Sequence, residues 1–425
     1  MAAHTESRVP AMWGRFMTWV DRRFPATETY EFHASKYYAP KNFNFLYFFG
    51  SIALFVLVMQ ILTGIWLTMS YVPSGAEAFA SVERTIMRDV DFGWLIRYLH
   101  TTGGSAFFIV VYVHMFRGLL YGSYREPREL LWLIGMAIFL AMMAEGFFGY
   151  LLPWGNMSFW AAQVIVSLFG AIPWIGPDLA QWIRGDFNVS EITLNRFFAL
   201  HVVALPLVLI GLVFVHIVAL HHVGSNNPDG IDIKKNKNAD GIPKDGIPFH
   251  PYYTIGHDLP AIIGFLFVFC LVAFYLPDMG GYFIEKPNFE EANPMKTPEH
   301  IAPVWYYTPF YAMLRAATFP LLGVDAKFWG LVVMAAAIAM PAVLPWLDKS
   351  PVKSMRYKGR ISKVMLTLFV LSFFILGYLG TIPPSPTSTA TAQVCTMLYF
   401  AYFVLMPWYT RVETTKPVPE RVTMR

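Results

Sequence analysis

Eight long apolar segments separated by polar stretches set the pattern of the chain. They fall at about 43–71, 94–121, 130–152, 197–220, 259–277, 327–347, 361–381 and 391–410. Each holds roughly the 20 residues a helix needs to cross a hydrocarbon core. In a bilayer the backbone must satisfy its own hydrogen bonds, and a helix does so within one segment. The pattern therefore predicts an all-α integral membrane protein with eight transmembrane helices.

Polar residues inside apolar spans are costly and tend to mark function. Span two carries His100 and His114, 14 residues apart; span four carries His201 and His216, 15 apart. At about 100° and 1.5 Å per residue, either spacing returns to nearly the same helix face some 21–23 Å further on. Spans two and four run in the same direction. His100 and His201 then share one depth, near the outer ends, and His114 and His216 share the other. One lone histidine is more often a satisfied core residue than a ligand; two matched pairs suit two bis-histidine haems, an outer one on His100 and His201 and an inner one on His114 and His216.

Glycines repeat the interval. Gly50 and Gly64 in span one are 14 apart, as are Gly135 and Gly149 in span three. Simple close packing explains glycine in membrane helices. The shared interval adds a second reading, side-chain-free sites facing a flat cofactor. The first four spans thus read as a di-haem four-helix bundle. Arg97, Arg117 and Arg196 lie within five residues of a histidine and suit carboxylates such as haem propionates. The alternative for each is an interfacial anchor.

Composition narrows the class. The chain is 56% hydrophobic and 14% charged, which fits residence in a lipid bilayer and gives no sign of nucleic-acid binding. Alternate loops hold 23 of the 32 Lys and Arg residues, so that side, with both termini, is expected to be cytoplasmic. Residues 1–42 form a basic arm without a cleavable signal pattern. The other face carries two long segments, 153–196 and 278–326, rich in Pro, Gly and aromatics; long non-helical segments of this kind are usually functional. Cys270 and Cys395 sit in separate spans, and there is no Cys-x-x-Cys-His. Any haem is then non-covalent and b-type, and no iron–sulfur cluster is held by this chain. Four parts follow: the arm 1–42, the bundle 43–220, a cytoplasmic loop 221–258, and a second membrane unit 259–425 that includes the 278–326 loop.

Several runs carry a resemblance over almost the whole chain: Gly149-Tyr150-Leu151-Leu152-Pro153-Trp154-Gly155, Ser158-Phe159-Trp160, Arg196-Phe197-Phe198, Gly224-Ser225-Asn226-Asn227-Pro228, Phe249-His250-Pro251-Tyr252-Tyr253 and Pro303-Val304-Trp305-Tyr306. The chain resembles the cytochrome b subunit of the respiratory ubiquinol–cytochrome c reductase, in its proteobacterial, eight-span form. The resemblance implies quinol oxidation at an outer site, electron transfer through two haems, and quinone reduction at an inner site, with ubiquinol and ubiquinone as substrates. It also implies a Rieske-type iron–sulfur protein and a cytochrome c-type subunit as partners, a homodimeric complex, and the bacterial inner membrane. Tyr150, the helix after Trp154, Trp305 and Tyr306 match the outer site. His221, Ser225, Asn226 and Asp258 match the inner one.

The chain departs from the family pattern in four places. Val304 stands where the family often has the glutamate that takes a quinol proton. Glu145 in span three, or Glu299 in the loop, is the expected substitute, with Glu145 favoured. Ala161 replaces a usual glycine beside Trp160, which predicts insensitivity to rigid methoxyacrylate-type inhibitors. The 15-residue interval from His201 to His216 exceeds the usual 14, and altered helix geometry is expected near Pro206 and Gly211. Gly256-His257-Asp258 has one residue extra. The rival within enzymes is another di-haem quinol-linked cytochrome, such as the membrane anchor of a dehydrogenase, against which the long 278–326 loop with Pro-Val-Trp-Tyr argues. The rival from another class is a proton-relay transporter, against which stands the lack of a visible inverted repeat.

Overall fold

The computed structural model describes residues 11–424; the first ten residues of the basic arm lie outside it. Seven helices are long and apolar enough to cross a membrane: Phe45–Thr68, Gly93–Tyr121, Glu129–Leu151, Glu191–Val223, Phe249–Tyr275, Ala326–Leu347 and Arg360–Thr381. The eighth span is a bent pair, Pro386–Val404 and Met406–Val412, at 59°. Pro407 near the start of the second piece cannot continue the hydrogen-bond ladder of the first, which accounts for the break. Large apolar side chains such as Leu207, Phe214, Phe267 and Phe374 point outward, as lipid contact demands.

The first four spans form two packed pairs, one with two and three with four. Spans six to eight pack around the short helix Thr308–Ala316, and one apolar core (Val56, Phe108, Phe139, Phe310, Leu376, Tyr399) joins both halves.

Three expectations about helix limits need correction. Segment 153–196 contains the expected helix after Trp154, Asn156–Phe169, and a second that was not expected, Gly176–Arg184. Segment 278–326 contains Thr308–Ala316. The fifth helix starts at Phe249 rather than near 259. In each case the helix is short or carries polar and aromatic residues, so hydropathy alone underestimates it.

Span four contains the most informative irregularity. Residues Leu200–Ala204 form a π-helical turn, closed by Leu205 N donating to Leu200 O. Pro206 has no N–H for the carbonyl of residue 202, and its ring would press on that carbonyl. A wide turn just before it relieves both problems and takes up one extra residue. The altered geometry thus lies at 200–204, next to Pro206 and away from Gly211.

On the basic face, Tyr38–Pro40 of the arm pairs antiparallel with Gly246–Pro248. The 413–424 tail folds back onto the same face, where Arg421 bonds Asp245 and Thr423 bonds Asp229.

Candidate functional site

The four histidines project into the bundle at two levels, and each ring lies against one of the four glycines. A Cβ placed on Gly64 would lie 3.1 Å from His100 Cε1, and one on Gly50 equally close to His114 Cε1. On Gly135 it would lie 3.2 Å from His216 Cε1, and on Gly149 it would collide with the His201 ring. The glycines therefore make room first for the imidazoles themselves. The wide turn at 200–204 explains how a 15-residue interval on span four stays in phase with a 14-residue interval on span three.

The His100 and His201 rings face each other, centroids 6.1 Å apart and planes at 88°. Two imidazoles on one metal atom, each with a bond of about 2 Å, place their centres roughly 6 Å apart. The second nitrogens are engaged as ligating histidines require. His100 Nδ1 is 3.0 Å from Thr63 Oγ1; His201 Nδ1 is 3.0 Å from the Glu145 backbone oxygen and 3.1 Å from Glu145 Oε1. At the other level, Nδ1 of His114 and of His216 are buried without a protein partner among the described residues. Two bis-histidine haems fit these residues.

Of the three arginines, Arg97 is buried and Arg117 half-buried. Arg97 bonds Thr101, and Arg117 bonds Ser123 Oγ at 3.1 Å, lies over the Tyr47 ring and keeps a buried, unpartnered Nε. Arg196 is exposed and donates to Trp182 O.

At the outer end of the bundle, the chain leaves span three through Trp154, whose φ of 55° is left-handed. Burial of its ring and hydrogen bonds on both sides, from Trp154 N to Leu151 O and from Ala292 N to Trp154 O, hold it there. Helix Asn156–Phe169 follows this turn, and its start is tied to Asn288 and Glu290 of the long loop. Ala161 on that helix is 2% exposed, so its methyl group is fully packed. Tyr306 stacks on Phe108 at 3.8 Å and 7°, Trp305 Nε1 donates to Ser105 Oγ, and Tyr307 Oη donates to Met143 O. Val304 is buried among them.

The carboxylates separate sharply. Glu145 turns to His201, with Oε2 buried and unpartnered. Glu299 is exposed. Sequence reasoning missed Glu285: its Oε2 accepts from Tyr150 Oη at 2.7 Å, and burial pushes its carboxyl up to about 7. Its charge also acts on Tyr306. No periodicity marks Glu285. The one available signal was a glutamate in a loop that also carries the Pro-Val-Trp-Tyr run.

On the basic face, His221 meets His33 of the arm, and Ser225 Oγ meets Tyr37 Oη at 2.9 Å. Asn226 is turned into the protein, donating to Tyr121 O. Asp258 lies within the first half of the fifth helix, Phe249–Tyr275, with the Ser51 side chain beside its carboxylate. The structure thus brings His221 and Ser225 to one place, with Asn226 bracing the end of span two and Asp258 against the start of span one.

Helices enclosing two levels of paired imidazoles, with polar and aromatic clusters at both ends, define a membrane electron-transfer protein. Comparison gives the family. The model "Cytochrome b/b6/petB" matches residues 34–224, and "Cytochrome b(C-terminal)/b6/petD" matches 291–400. The chain is 63% identical to a cytochrome b of Allochromatium vinosum, over 96% of this chain and 98% of the relative. It is 46% identical to one of Rhodospirillum rubrum, over 97% and 98%. A solved structure described as a hyperthermophilic respiratory Complex III contains a chain with TM-score 0.84 and 36% identity, covering 93% of this chain and 99% of that one. The protein belongs to the cytochrome b family and is the cytochrome b of a respiratory bc-type complex.

Proposed function

We propose that this chain oxidises quinol near its outer face and reduces quinone near its basic face, the two halves of a Q cycle. The observation that carries the proposal is the double coincidence of four imidazoles with four glycines at two depths. His100 and His201 would hold an outer haem and His114 and His216 an inner one, with Arg97 and Arg117 placed for propionates. When bound, these groups supply one-electron carriage between the two faces.

The chain's own residues provide the rest. The Glu145 carboxylate and backbone oxygen fix the tautomer of His201 by accepting at Nδ1, leaving Nε2 free to ligate. That places Glu145 as a positioning residue. Glu285 accepts the quinol proton in place of the glutamate missing at Val304, in preference to both Glu145 and Glu299. It is half-buried, hydrogen-bonded to Tyr150 and poised near neutral pH, as a general base should be. Trp305, Tyr306 and helix Asn156–Phe169 wall the outer site. His221 and Ser225 serve the inner one.

Partners follow from the family: a Rieske-type protein takes one electron per quinol and a cytochrome c-type subunit receives it. One relative, from Bradyrhizobium diazoefficiens, is named cytochrome b/c1; the match spans 96% of this chain and 56% of that protein. The basic face and both termini lie toward the cytoplasm of a bacterial inner membrane, and the complex is a dimer.

The test is a reduced-minus-oxidised spectrum of the purified complex, expected to show two b-type haems. His100→Asn or His201→Asn should remove the outer haem, and His114→Asn or His216→Asn the inner one. If His114→Asn and His201→Asn removed the same haem, the pairing would be wrong.

A further inference from the structure

The histidine least expected at the inner site comes from the arm. His33 lies in the helical turn Glu31–Ser35, and its Nδ1 is 2.6 Å from Nδ1 of His221. The two rings are 4.9 Å apart at 39°. The contact is held from several sides. Tyr37, four residues on, packs its ring 4.4 Å from His221 and bonds Ser225 through its hydroxyl. Phe32 packs edge-on against His33. The arm itself is fixed by the strand pairing of Tyr38–Pro40 with Gly246–Pro248.

Two imidazole nitrogens at this separation form a hydrogen bond only when one carries a proton and the other a lone pair. The pair therefore holds one proton between its Nδ1 atoms, and among the described residues neither Nε2 atom has a hydrogen-bond partner. Charged neighbours do not compete for it. Among the described residues neither ring is paired with a carboxylate. Glu31 and Lys36 are paired with each other on the exposed side of the arm. Lys234 is the cation that acts on His221, and its Nζ donates to His222 O. Arg128 is spent on Gly224 O.

We propose that His33 is the intake end of a two-imidazole proton relay that serves quinone reduction at the inner site. The proposal rests on reading His221 as a residue of that site. Reducing one quinone to quinol takes two electrons and two protons. In each transfer, His221 gives its Nε2 proton to a quinone oxygen. The shared proton moves from His33 Nδ1 to His221 Nδ1, and His33 Nε2 takes a fresh proton from water. Tautomer exchange resets the pair. The arm thereby connects a half-buried site to the aqueous face without a buried carboxylate.

The experiment uses the intact complex and follows oxidation of pre-reduced b-type haems by added ubiquinone, between pH 6 and 9. His33→Phe keeps a ring and removes the proton path; His33→Ala leaves a cavity. Both are expected to slow this step on the order of tenfold, increasingly so as pH rises and free protons become scarce. Millimolar imidazole should restore His33→Ala and leave His33→Phe slow. Quinol-driven haem reduction at the outer face should match the parent. Parent-like rates and pH profile in both variants, or slow His33→Ala that imidazole does not restore, would overturn the relay. If the parent itself showed no inner-face quinone reduction sensitive to His221→Ala, the reading of the inner site would fail, separately from the relay.

Discussion

At the residue scale, a few atoms decide what the protein can do. Glu285 is the clearest case. Burial raises its carboxyl to about 7 against the hydrogen bond from Tyr150, which by itself would lower it. A raised acid is protonated below that value and is a base only above it. Quinol oxidation at the outer site should therefore climb with pH through about 7. Glu285→Gln should flatten that limb and slow the step on the order of a hundredfold, leaving both haem spectra unchanged; a parent-like pH profile would return the role to Glu145 or Glu299. Gly149 is a second case. A methyl group there meets three atoms of the His201 ring, and overfilling a tight site costs about 1–3 kcal/mol. Gly149→Ala should deplete the outer haem while Gly50→Ala, with its wider clearance, is milder toward the inner one. Equal haem content in the two variants would show that the rings move aside freely.

At the scale of elements, the wide turn in span four explains how two unequal histidine intervals serve one bundle. The sequence showed that the interval was long and that Pro206 was near. It could not show which turn would widen, because that depends on which carbonyl the proline ring meets. Deleting Val203, a lipid-facing residue in the wide turn, should convert that turn to regular helix and leave His201 and His216 in phase. Deleting Ile109, also outward-facing, from the regular helix of span two should rotate His100 against His114 by about 100° and remove one haem. Haem stoichiometry of the two variants decides. A Val203 deletion as damaging as the Ile109 deletion would mean that the turn is not what keeps the register. Much else at this scale was legible beforehand. Apolar length located the spans, and period located the histidine and glycine faces. Of the short helices outside the spans, only the one after Trp154 was expected; Gly176–Arg184 and Thr308–Ala316 were not, since their polar and aromatic residues look the same as loop in a hydropathy profile.

At the scale of the whole molecule, the remaining gap is contact between distant segments. His33 with His221, and Tyr150 with Glu285, join residues 188 and 135 positions apart, and no local pattern encodes such pairs. The basic face is assembled in the same way, around two buried aspartates. Asp245 accepts from Arg421 and Val422 of the tail and binds Lys41 of the arm; the Arg421 contact comes first in holding its carboxyl down to about 2. Asp229 accepts from Thr423, Asn42, Tyr357 and Arg356. A depressed carboxyl adds stability that is complete above its unfolded value and is lost as pH falls toward 2, so this clamp stays intact across the neutral range. The tail thus closes the inner face, whereas the outer site is built from segments it never touches. Removing residues 416–425 leaves buried acceptors short of partners, at about 1–3 kcal/mol each. Hydrogen exchange in 37–42 and 224–248 should then quicken on the order of tenfold, and affinity for inner-site inhibitors should fall. Outer-site inhibitor affinity should hold. If both sites weakened alike, the tail would be supporting the fold at large; if neither changed, the aspartates would be satisfied by the arm and the 348–360 loop alone.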